Sequence, residues 1–219
     1  MTFKAPDSLA EQIALHLAER IIRGELKPGE RIQEQKVTQA LNVSRGSVRE
    51  ALLILERRHL IVIPPRRGAQ VSTLSAHNVR SLCALMSELY ILLGNSVAAR
   101  WRDEAELAPF LHIQQKLIAS CERQDVKRFV EDSFGVMRAA YPFADNLYLQ
   151  ETIENLHPAM SRCYYLALDQ RKAEMSEYLA LFAQLLEAVI ARDSTRIRVA
   201  LSNYSERSCQ AILLALPAA

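Results

Sequence analysis

The sequence predicts a mainly α protein, with an N-terminal winged helix-turn-helix followed by an all-α bundle of six helices. Three short helical patterns and then two β-rich runs fill the first third of the chain, and that order of elements is typical of a winged helix. From Ser75 onward apolar residues recur at helical spacing, and strand signals are almost absent. A chain of 219 residues is long enough for two domains, which we expect at residues 1–73 and 74–219.

Positive charge is distributed unevenly along the chain. Hydrophobic residues make up 50% of the sequence, which is ordinary for a globular protein with a proper core, and the formal net charge is only +2. Residues 31–67, however, hold eight Lys or Arg against three Asp or Glu. A local excess of cations of this kind favours binding to nucleic-acid phosphates.

The cysteines and the N-terminal residues indicate a cytoplasmic protein. Cys83, Cys121, Cys163 and Cys209 stand singly, so reduced thiols are expected rather than disulfides or zinc ligands. The first residues lack the apolar segment of a signal peptide, and no continuous apolar run approaches the ~18 residues of a membrane-spanning helix. We therefore expect neither secretion nor a membrane span.

The third helix carries the main functional signal. Asn42 tolerates the left-handed turn that precedes a new helix, and Ser44 is a good N-cap for a helix over residues 45–58. Arg45 and Arg49 lie one turn apart on a face other than the apolar one, within the first two turns of this helix. Two guanidinium groups near a helix N-terminus can reach guanine edges in the major groove of DNA. The alternative interpretation is a solvated helix face that happens to carry two arginines.

Flanking elements complete the predicted winged helix. A first helix is expected over residues 8–22 and a short second one over residues 33–41. A β-branched strand over residues 60–63, a Pro-Pro-Arg-Arg-Gly turn and a returning strand over residues 69–73 form the wing.

Three motifs in this order resemble the GntR family of bacterial transcription regulators. They are Pro28-Gly29-x-Arg31-Ile32, the run from Leu41-Asn42-Val43-Ser44-Arg45 to Val48-Arg49-Glu50-Ala51-Leu52, and Arg66-Arg67-Gly68-Ala69-x-Val71. The resemblance implies that Arg45 and Arg49 contact operator bases and that Gly68 lies against the minor groove. The full set of expected DNA contacts is Arg31, Lys36, Ser44, Arg45, Gly46, Ser47, Arg49, Arg66, Arg67 and Gly68. Asn42 and Gly46-Ser47 depart from the glycine and Thr-Pro that are usual in the family.

The second domain resembles the FCD effector domain of the FadR subgroup. Six helices are expected, at residues 76–101, 104–121, 125–140, 145–168, 172–192 and 194–215. The resemblance rests on Phe134, Asn146 and the run from Leu186 to Asp193. It implies a homodimer that pairs through the first of these helices, whose apolar stripe is Leu82, Leu85, Leu89 and Leu92.

Many FCD domains hold a divalent metal with one Asp and three His, and an Arg helps bind a carboxylate ligand. The matching positions here hold Glu131, Gly135, Phe182 and Tyr204, and Ser87 stands at the arginine position. Glycine and phenylalanine offer no metal ligand, so neither a metal nor another cofactor is expected. The expected effector pocket comprises Ser87, Glu131, Gly135, Arg138, Phe182 and Tyr204.

These observations predict a DNA-binding transcription regulator, acting as a repressor and as a homodimer on an inverted-repeat operator of double-stranded DNA. If an effector exists, it should be a small organic molecule with a sizeable apolar part. The alternative is a domain plugged by Phe182 and Tyr204 that only dimerises. An enzyme is disfavoured, because the chain has no Gly-rich phosphate loop, no G-x-S-x-G and no His-Glu-x-x-His motif.

Overall fold

The computed structural model describes residues 8–170, Lys172 and residues 174–216. Internal contacts divide the chain into two units. The first unit comprises the chain up to Leu74 together with the later segment Asn155–Arg162. The second unit comprises Ser75–Glu154 and the residues from Cys163 onward. Residues 1–7 of the first expected domain and residues 217–219 of the second lie outside the described part.

Within the described residues the chain is almost entirely helical, which confirms the predicted fold class. The elements are α1 (Leu9–Ile22), α2 (Glu34–Leu41), α3 (Arg45–Arg57), β1 (Ile61–Val62), β2 (Gln70–Val71), α4 (Ala76–Arg100), α5 (Glu104–Glu122), α6 (Val126–Ala144), α7 (Leu147–Gln170), α8 (Glu174–Ile190) and α9 (Ser194–Ala215).

In the first unit α1 and α2 both pack on α3. Ser8 caps α1, since its hydroxyl accepts a hydrogen bond from the Glu11 N–H at 3.2 Å. Leu17, Leu55 and Leu60 are completely or almost completely buried in the shared core. Burial of each such leucine stabilises the fold by about 1.5–3 kcal/mol relative to exposure. This core fixes α3 by its apolar face and leaves the opposite face outward.

The two strands form an antiparallel hairpin in which Ile61 pairs with Val71. Both are shorter than predicted, because Pro64 and Pro65 follow β1 and supply no N–H group to the ladder. An extended segment joins the other edge of β2, where Arg31 forms a bridge with Gln70. The sequence predicts a short extended piece after the turn at Pro28-Gly29, but not its pairing with β2.

In the second unit α4 is the central helix, packing on α6, α8 and α9. It packs closely against α9 at Gly94, where a Cβ atom would lie 3.2 Å from Ile197 and 3.3 Å from Leu201. Glycine therefore permits the tight crossing of α4 and α9. Among the described helices α4 is also the one long and apolar enough to cross a membrane by length and composition alone. Its side chains Met86 and Ile91 are fully buried within the protein, so the same composition suits a core helix.

The helix bounds correct the prediction near the prolines. The expected break at Pro142 is wrong, since α6 continues through it to Ala144 and ends at Asp145, which has a left-handed φ of 48°. Pro142 cannot donate to the carbonyl four residues earlier, and α6 ends two residues beyond it. The predicted helix over residues 172–192 is described only from Glu174, because residue 173 lies outside the described part.

All four cysteines are free thiols, as expected for a reducing compartment. Cys83 and Cys163 are buried, and Cys121 and Cys209 are partly exposed. Burial raises the pKa of the Cys83 thiol well above its usual range, and the nearby Cys209 adds to the rise. Cys83 therefore stays protonated and unreactive at neutral pH.

Candidate nucleic-acid interface and effector cavity

The turn between α2 and α3 is built as the sequence predicts. Asn42 adopts φ 52° and ψ 49°, the left-handed conformation that ends α2. Ser44 then caps α3, because its hydroxyl oxygen accepts a hydrogen bond from the Ser47 N–H at 3.1 Å. The hydroxyl groups of Ser44 and Ser47 also lie 2.9 Å apart and form a hydrogen bond with each other. This cap sets the direction of α3 and leaves its first turn on the surface.

Arg45 and Arg49 both project from the first two turns of α3 and are exposed. Val48 and Leu52 on the other face are buried in the core of the unit. The arginine pair therefore faces outward in the arrangement that major-groove reading requires. A Cβ atom on Gly46 would meet only the Ser44 hydroxyl, at 3.7 Å, so packing does not demand glycine there.

Arg49 has an acidic partner that the sequence pattern did not reveal. Its Nε donates a hydrogen bond to Glu34 Oε2 at 3.0 Å. The Arg49 side chain is nevertheless 69% exposed, so its guanidinium stays accessible. The partner lies fifteen residues earlier, on α2, and no periodicity connects two positions at that spacing. Glu34 thus orients the exposed Arg49 guanidinium.

The wing forms a compact cationic tip. Arg66 and Gly68 have left-handed φ values of 63° and 73°, and the Arg67 N–H donates to the Pro64 carbonyl at 3.1 Å. The Arg31 guanidinium lies 3.4 Å from the place where a Cβ on Gly68 would stand. Glycine is favoured here by its φ, whereas a Cβ would make only an ordinary contact with Arg31. Arg31, Arg66 and Arg67 are all exposed, and Lys36 is exposed on α2.

The helical unit contains an apolar cavity of about 120 Å³. Four tyrosines on four helices line it, namely Tyr90 on α4, Tyr164 on α7, Tyr178 on α8 and Tyr204 on α9. The other lining residues are apolar except for Ser133, and none of them carries a charge. The cavity is therefore suited to an uncharged, mainly apolar guest.

The tyrosine rings form a connected cluster, and two of their hydroxyl groups are fully buried. Tyr204 packs edge-on against Tyr178 and Tyr164, with ring centroids 5.5 Å and 6.2 Å apart. The hydroxyl oxygens of Tyr90 and Tyr178 are fully buried and make no short hydrogen bond among the described residues, but the hydroxyl groups of Tyr164 and Ser208 lie close enough to lower the pKa of Tyr90 and of Tyr178 respectively. Burial raises the pKa of both phenols well above their usual range, and the neighbouring Tyr204 adds to the rise. Both hydroxyls therefore remain hydrogen-bond donors at neutral pH.

The structure brings part of the expected effector pocket together. Phe182 and Tyr204 line the cavity as predicted. Glu131 does not, since its side chain is 60% exposed and pairs with Lys127. Gly135 does not either, because a Cβ there would point to Ile113 on α5, at 3.5 Å. The expected lining is therefore wrong for these two residues of α6.

Arg138 and Ser87 are also outside the cavity lining. Arg138 pairs with Glu154 at 3.6 Å and borders a separate groove on the surface. The residues that α6 directs at the cavity include Ser133 and Met137, which have the same four-residue spacing as Glu131 and Gly135. Glu131 and Gly135 therefore lie on a different side of α6 from these two, since two residues correspond to roughly 200° around a helix.

Comparison with known protein families identifies the two units. Residues 9–71 match the bacterial regulatory proteins of the gntR family, and residues 92–207 match the FCD domain. The chain belongs to the GntR family. Its predicted resemblance to GntR regulators with an FCD domain is confirmed.

Relatives of this GntR-family protein are named as transcription regulators. It is 26% identical over 207 residues to the HTH-type transcriptional repressor RspR of Escherichia coli strain K12, covering 92% of this chain and 88% of RspR. It is 25% identical over 202 residues to the HTH-type transcriptional regulator McbR of the same strain, covering 92% and 91%. Because these relatives regulate transcription, the prediction that the protein is not an enzyme is confirmed.

Solved structures show the same fold. Escherichia coli McbR/YncC has a TM-score of 0.80 at 23% identity, and the match covers 95% of this chain and 99% of that one. A putative GntR transcriptional regulator from Rhodococcus sp. RHA1 has a TM-score of 0.76 at 20% identity, covering 96% and 100%.

The cavity of this GntR-family protein does not fit a divalent metal. Ser133, Met137, Phe182 and Tyr204 offer two hydroxyls and a thioether, without an imidazole or a carboxylate. Within the described part of the chain, no group of three or more His, Cys, Asp or Glu is placed to hold a metal ion.

We expect Glu34→Gln to lower the sequence specificity of this GntR-family regulator. The substitution removes a negative charge beside Arg49, so affinity for any duplex should rise up to about fivefold, the range of an exposed ion pair. Unrelated DNA should gain more than the operator, because Arg49 is no longer held in one orientation. Affinities for the operator and for unrelated DNA, measured at three salt concentrations, give the change in overall affinity and the change in specificity.

Glu25→Gln is the matched control for this prediction, since it breaks another exposed pair, with Arg20 at 3.3 Å, outside the expected DNA contacts. If Glu34→Gln and Glu25→Gln change the affinities for the operator and for unrelated DNA equally, Glu34 has no influence on the recognition of DNA sequence.

Proposed function

We propose that this GntR-family protein is a cytoplasmic, homodimeric repressor that binds an inverted-repeat operator and responds to a small organic effector with an apolar part. The observation that carries the DNA-binding half is the outward face of the capped helix α3, where Arg45 and Arg49 are both exposed. RspR is named as a transcriptional repressor, which supports repression rather than activation.

The dimer is supported by the outer face of α4. Leu85 and Leu92 lie two turns apart on this helix, and they are 48% and 50% exposed. Glu88 lies between them and pairs with Arg198 at 3.3 Å. Two large apolar side chains on one helix face lose contact with water if a second copy packs there. Two copies related by a twofold axis would also present two α3 helices to the halves of an inverted repeat.

The effector half of the proposal rests on the cavity. If Phe182 and Tyr204 simply plugged the centre of the bundle, close packing would leave little space beside them. Instead a cavity of about 120 Å³ remains beside them, and its lining is uncharged and mostly apolar. These features favour an effector over the plugged, ligand-free alternative.

Selection of bound duplexes from a random-sequence DNA pool tests the proposed function. We expect the full-length protein to enrich an inverted repeat whose half-sites are centred about 10 base pairs, or one helical turn, apart. Sedimentation of the protein with the selected duplex should then show two chains per DNA. Enrichment of no common sequence, or one chain on a single half-site, would contradict the proposal.

A further inference from the structure

The cavity of the helical unit offers a guest aromatic rings and aliphatic groups, with almost no polar surface. We infer that it binds a neutral hydrocarbon of about one ring, which is recognised by shape and apolar contact without a hydrogen bond. This inference rests on the proposed effector function and names the ligand class of the same site.

Aromatic rings from all six helices of this unit surround the cavity. Each helix from α4 to α9 contributes at least one ring, and the described lining includes four phenylalanines and four tyrosines. The other described lining residues are uncharged, and Ser133 is the only one of them with a polar side chain. A carboxylate buried there would lose its hydration without gaining a cation, which is strongly unfavourable. The position matched to the carboxylate-binding arginine of the family is Ser87, which lies outside this lining.

The tyrosine hydroxyls lie among one another and do not serve a guest. Those of Tyr90 and Tyr178 are fully buried, and the hydroxyls of Tyr164 and Ser208 lie beside them. The Tyr164 hydroxyl in turn lies beside that of Tyr204. Burial raises the pKa of all four phenols, so none of them is charged at neutral pH. Tyr90 and Tyr178 therefore meet the cavity with the carbon atoms of their rings.

Ser133 adds little to the polarity of the wall. Its hydroxyl donates a hydrogen bond to the Val130 carbonyl at 2.7 Å, so its proton is already engaged. A ligand with a hydroxyl or carbonyl group gives up hydrogen bonds to water on entering such a space, and it finds no donor there to replace them. A hydrocarbon has no such loss and gains from the removal of its apolar surface from water.

The volume limits the ligand to about one ring. The cavity measures about 120 Å³. An apolar protein cavity of about 150 Å³ holds one benzene molecule. A benzene-sized hydrocarbon therefore fits without large rearrangement, whereas a fused two-ring compound or a long acyl chain does not.

Three probes of similar size separate the steps of this inference. Toluene is a neutral hydrocarbon, phenol has a similar shape with a hydroxyl group, and benzoate has the ring with a charge. We expect toluene to bind the full-length protein about 5- to 150-fold more tightly than phenol, because a buried hydroxyl without a partner loses its hydrogen bonds to water. Benzoate should bind more weakly still, since it loses the hydration of a charge. Titration calorimetry with each probe gives these ratios.

Filling the cavity supplies the matched variants. Ala140 and Ala200 belong to the lining and are 4% and 6% exposed, so a leucine at either position should occupy the space that toluene needs. At least one of Ala140→Leu and Ala200→Leu should lower toluene affinity by ~10-fold or more. Ala180→Leu is the control, because it adds the same side chain at an exposed position of α8 outside the described lining. Thermal unfolding identifies any variant that overpacking has unfolded.

The order of affinities in the unaltered protein decides the inference by itself. Phenol or benzoate binding as tightly as toluene would show that the wall supplies a hydrogen bond or a charge, and would overturn it. Equal toluene affinity in the unaltered protein and in both folded leucine variants would overturn it too, because toluene would then bind elsewhere.

Operator binding in the same preparations separates this inference from the proposed function. If none of the three probes binds while the operator is bound normally, the ligand class is wrong and the DNA-binding function stands. If toluene binds as expected but operator affinity at saturation is unchanged, the ligand class stands and the effector role fails.

Discussion

Replacing Arg45 or Arg49 by alanine should weaken operator binding more than any other single change in this protein. A bidentate contact from arginine to guanine contributes about 1–3 kcal/mol of discrimination. Each substitution occurs twice in a dimer on an inverted repeat, so the loss should be about 2–6 kcal/mol, or roughly 30-fold to 10⁴-fold in affinity. Both side chains are exposed and neither belongs to the core, so the fold should be unaffected. Binding titrations with the selected operator and with single-base variants measure the effect.

Arg66→Ala and Arg67→Ala are the matched comparison, because they remove the same side chain from the exposed wing tip. They should weaken binding to all duplexes alike and lower the salt dependence by about one unit for each lost phosphate contact. Base preference should change only in the α3 variants. Unchanged operator affinity in both Arg45→Ala and Arg49→Ala would remove the proposed role of α3.

The second large effect is expected at the outer face of α4. Leu85→Lys combined with Leu92→Lys should convert a dimer of about 49 kDa, twice the 24.7 kDa chain, into monomers. Each half-exposed leucine should contribute about 1 kcal/mol if it is buried in the dimer, so four of them contribute about 4 kcal/mol. The dissociation constant of the dimer should therefore rise by about 10³-fold, and repulsion between the new lysines should raise it further. Lysine is a good helix former and can pair with the nearby Glu88, so α4 itself should persist.

Leu111→Lys is the control for this experiment, since Leu111 on α5 is 46% exposed and therefore comparable with Leu85 and Leu92. Sedimentation equilibrium over a wide concentration range, with circular dichroism as a check of the fold, gives the association state. Operator affinity should fall together with the dimer fraction. A double variant that stays dimeric would place the interface elsewhere on the protein.

Local residue chemistry was sufficient to predict the winged helix. Asn42 adopts the left-handed conformation that its side chain tolerates, Ser44 caps α3, and Gly68 has a positive φ at the tip of the wing. Each of these features depends on one residue and its immediate neighbours, so it is visible in a linear pattern. Apolar spacing likewise predicted the existence and order of the six later helices, although it misplaced the end of α6.

Tertiary structure alone decided the contacts between distant residues. Glu34 meets Arg49 and Arg31 meets Gly68 across 15 and 37 positions, and neither pair has a local signature. The cavity lining depends even more on packing, because a two-residue error in register on α6 moves a side chain to the opposite side of the helix. Glu131 and Gly135 were expected in the lining from the family resemblance, whereas Ser133 and Met137, about half a turn away on α6, occupy it. The periodicity of a helix predicts that it has a buried face, but the neighbouring helices decide which side chains on that face meet a cavity.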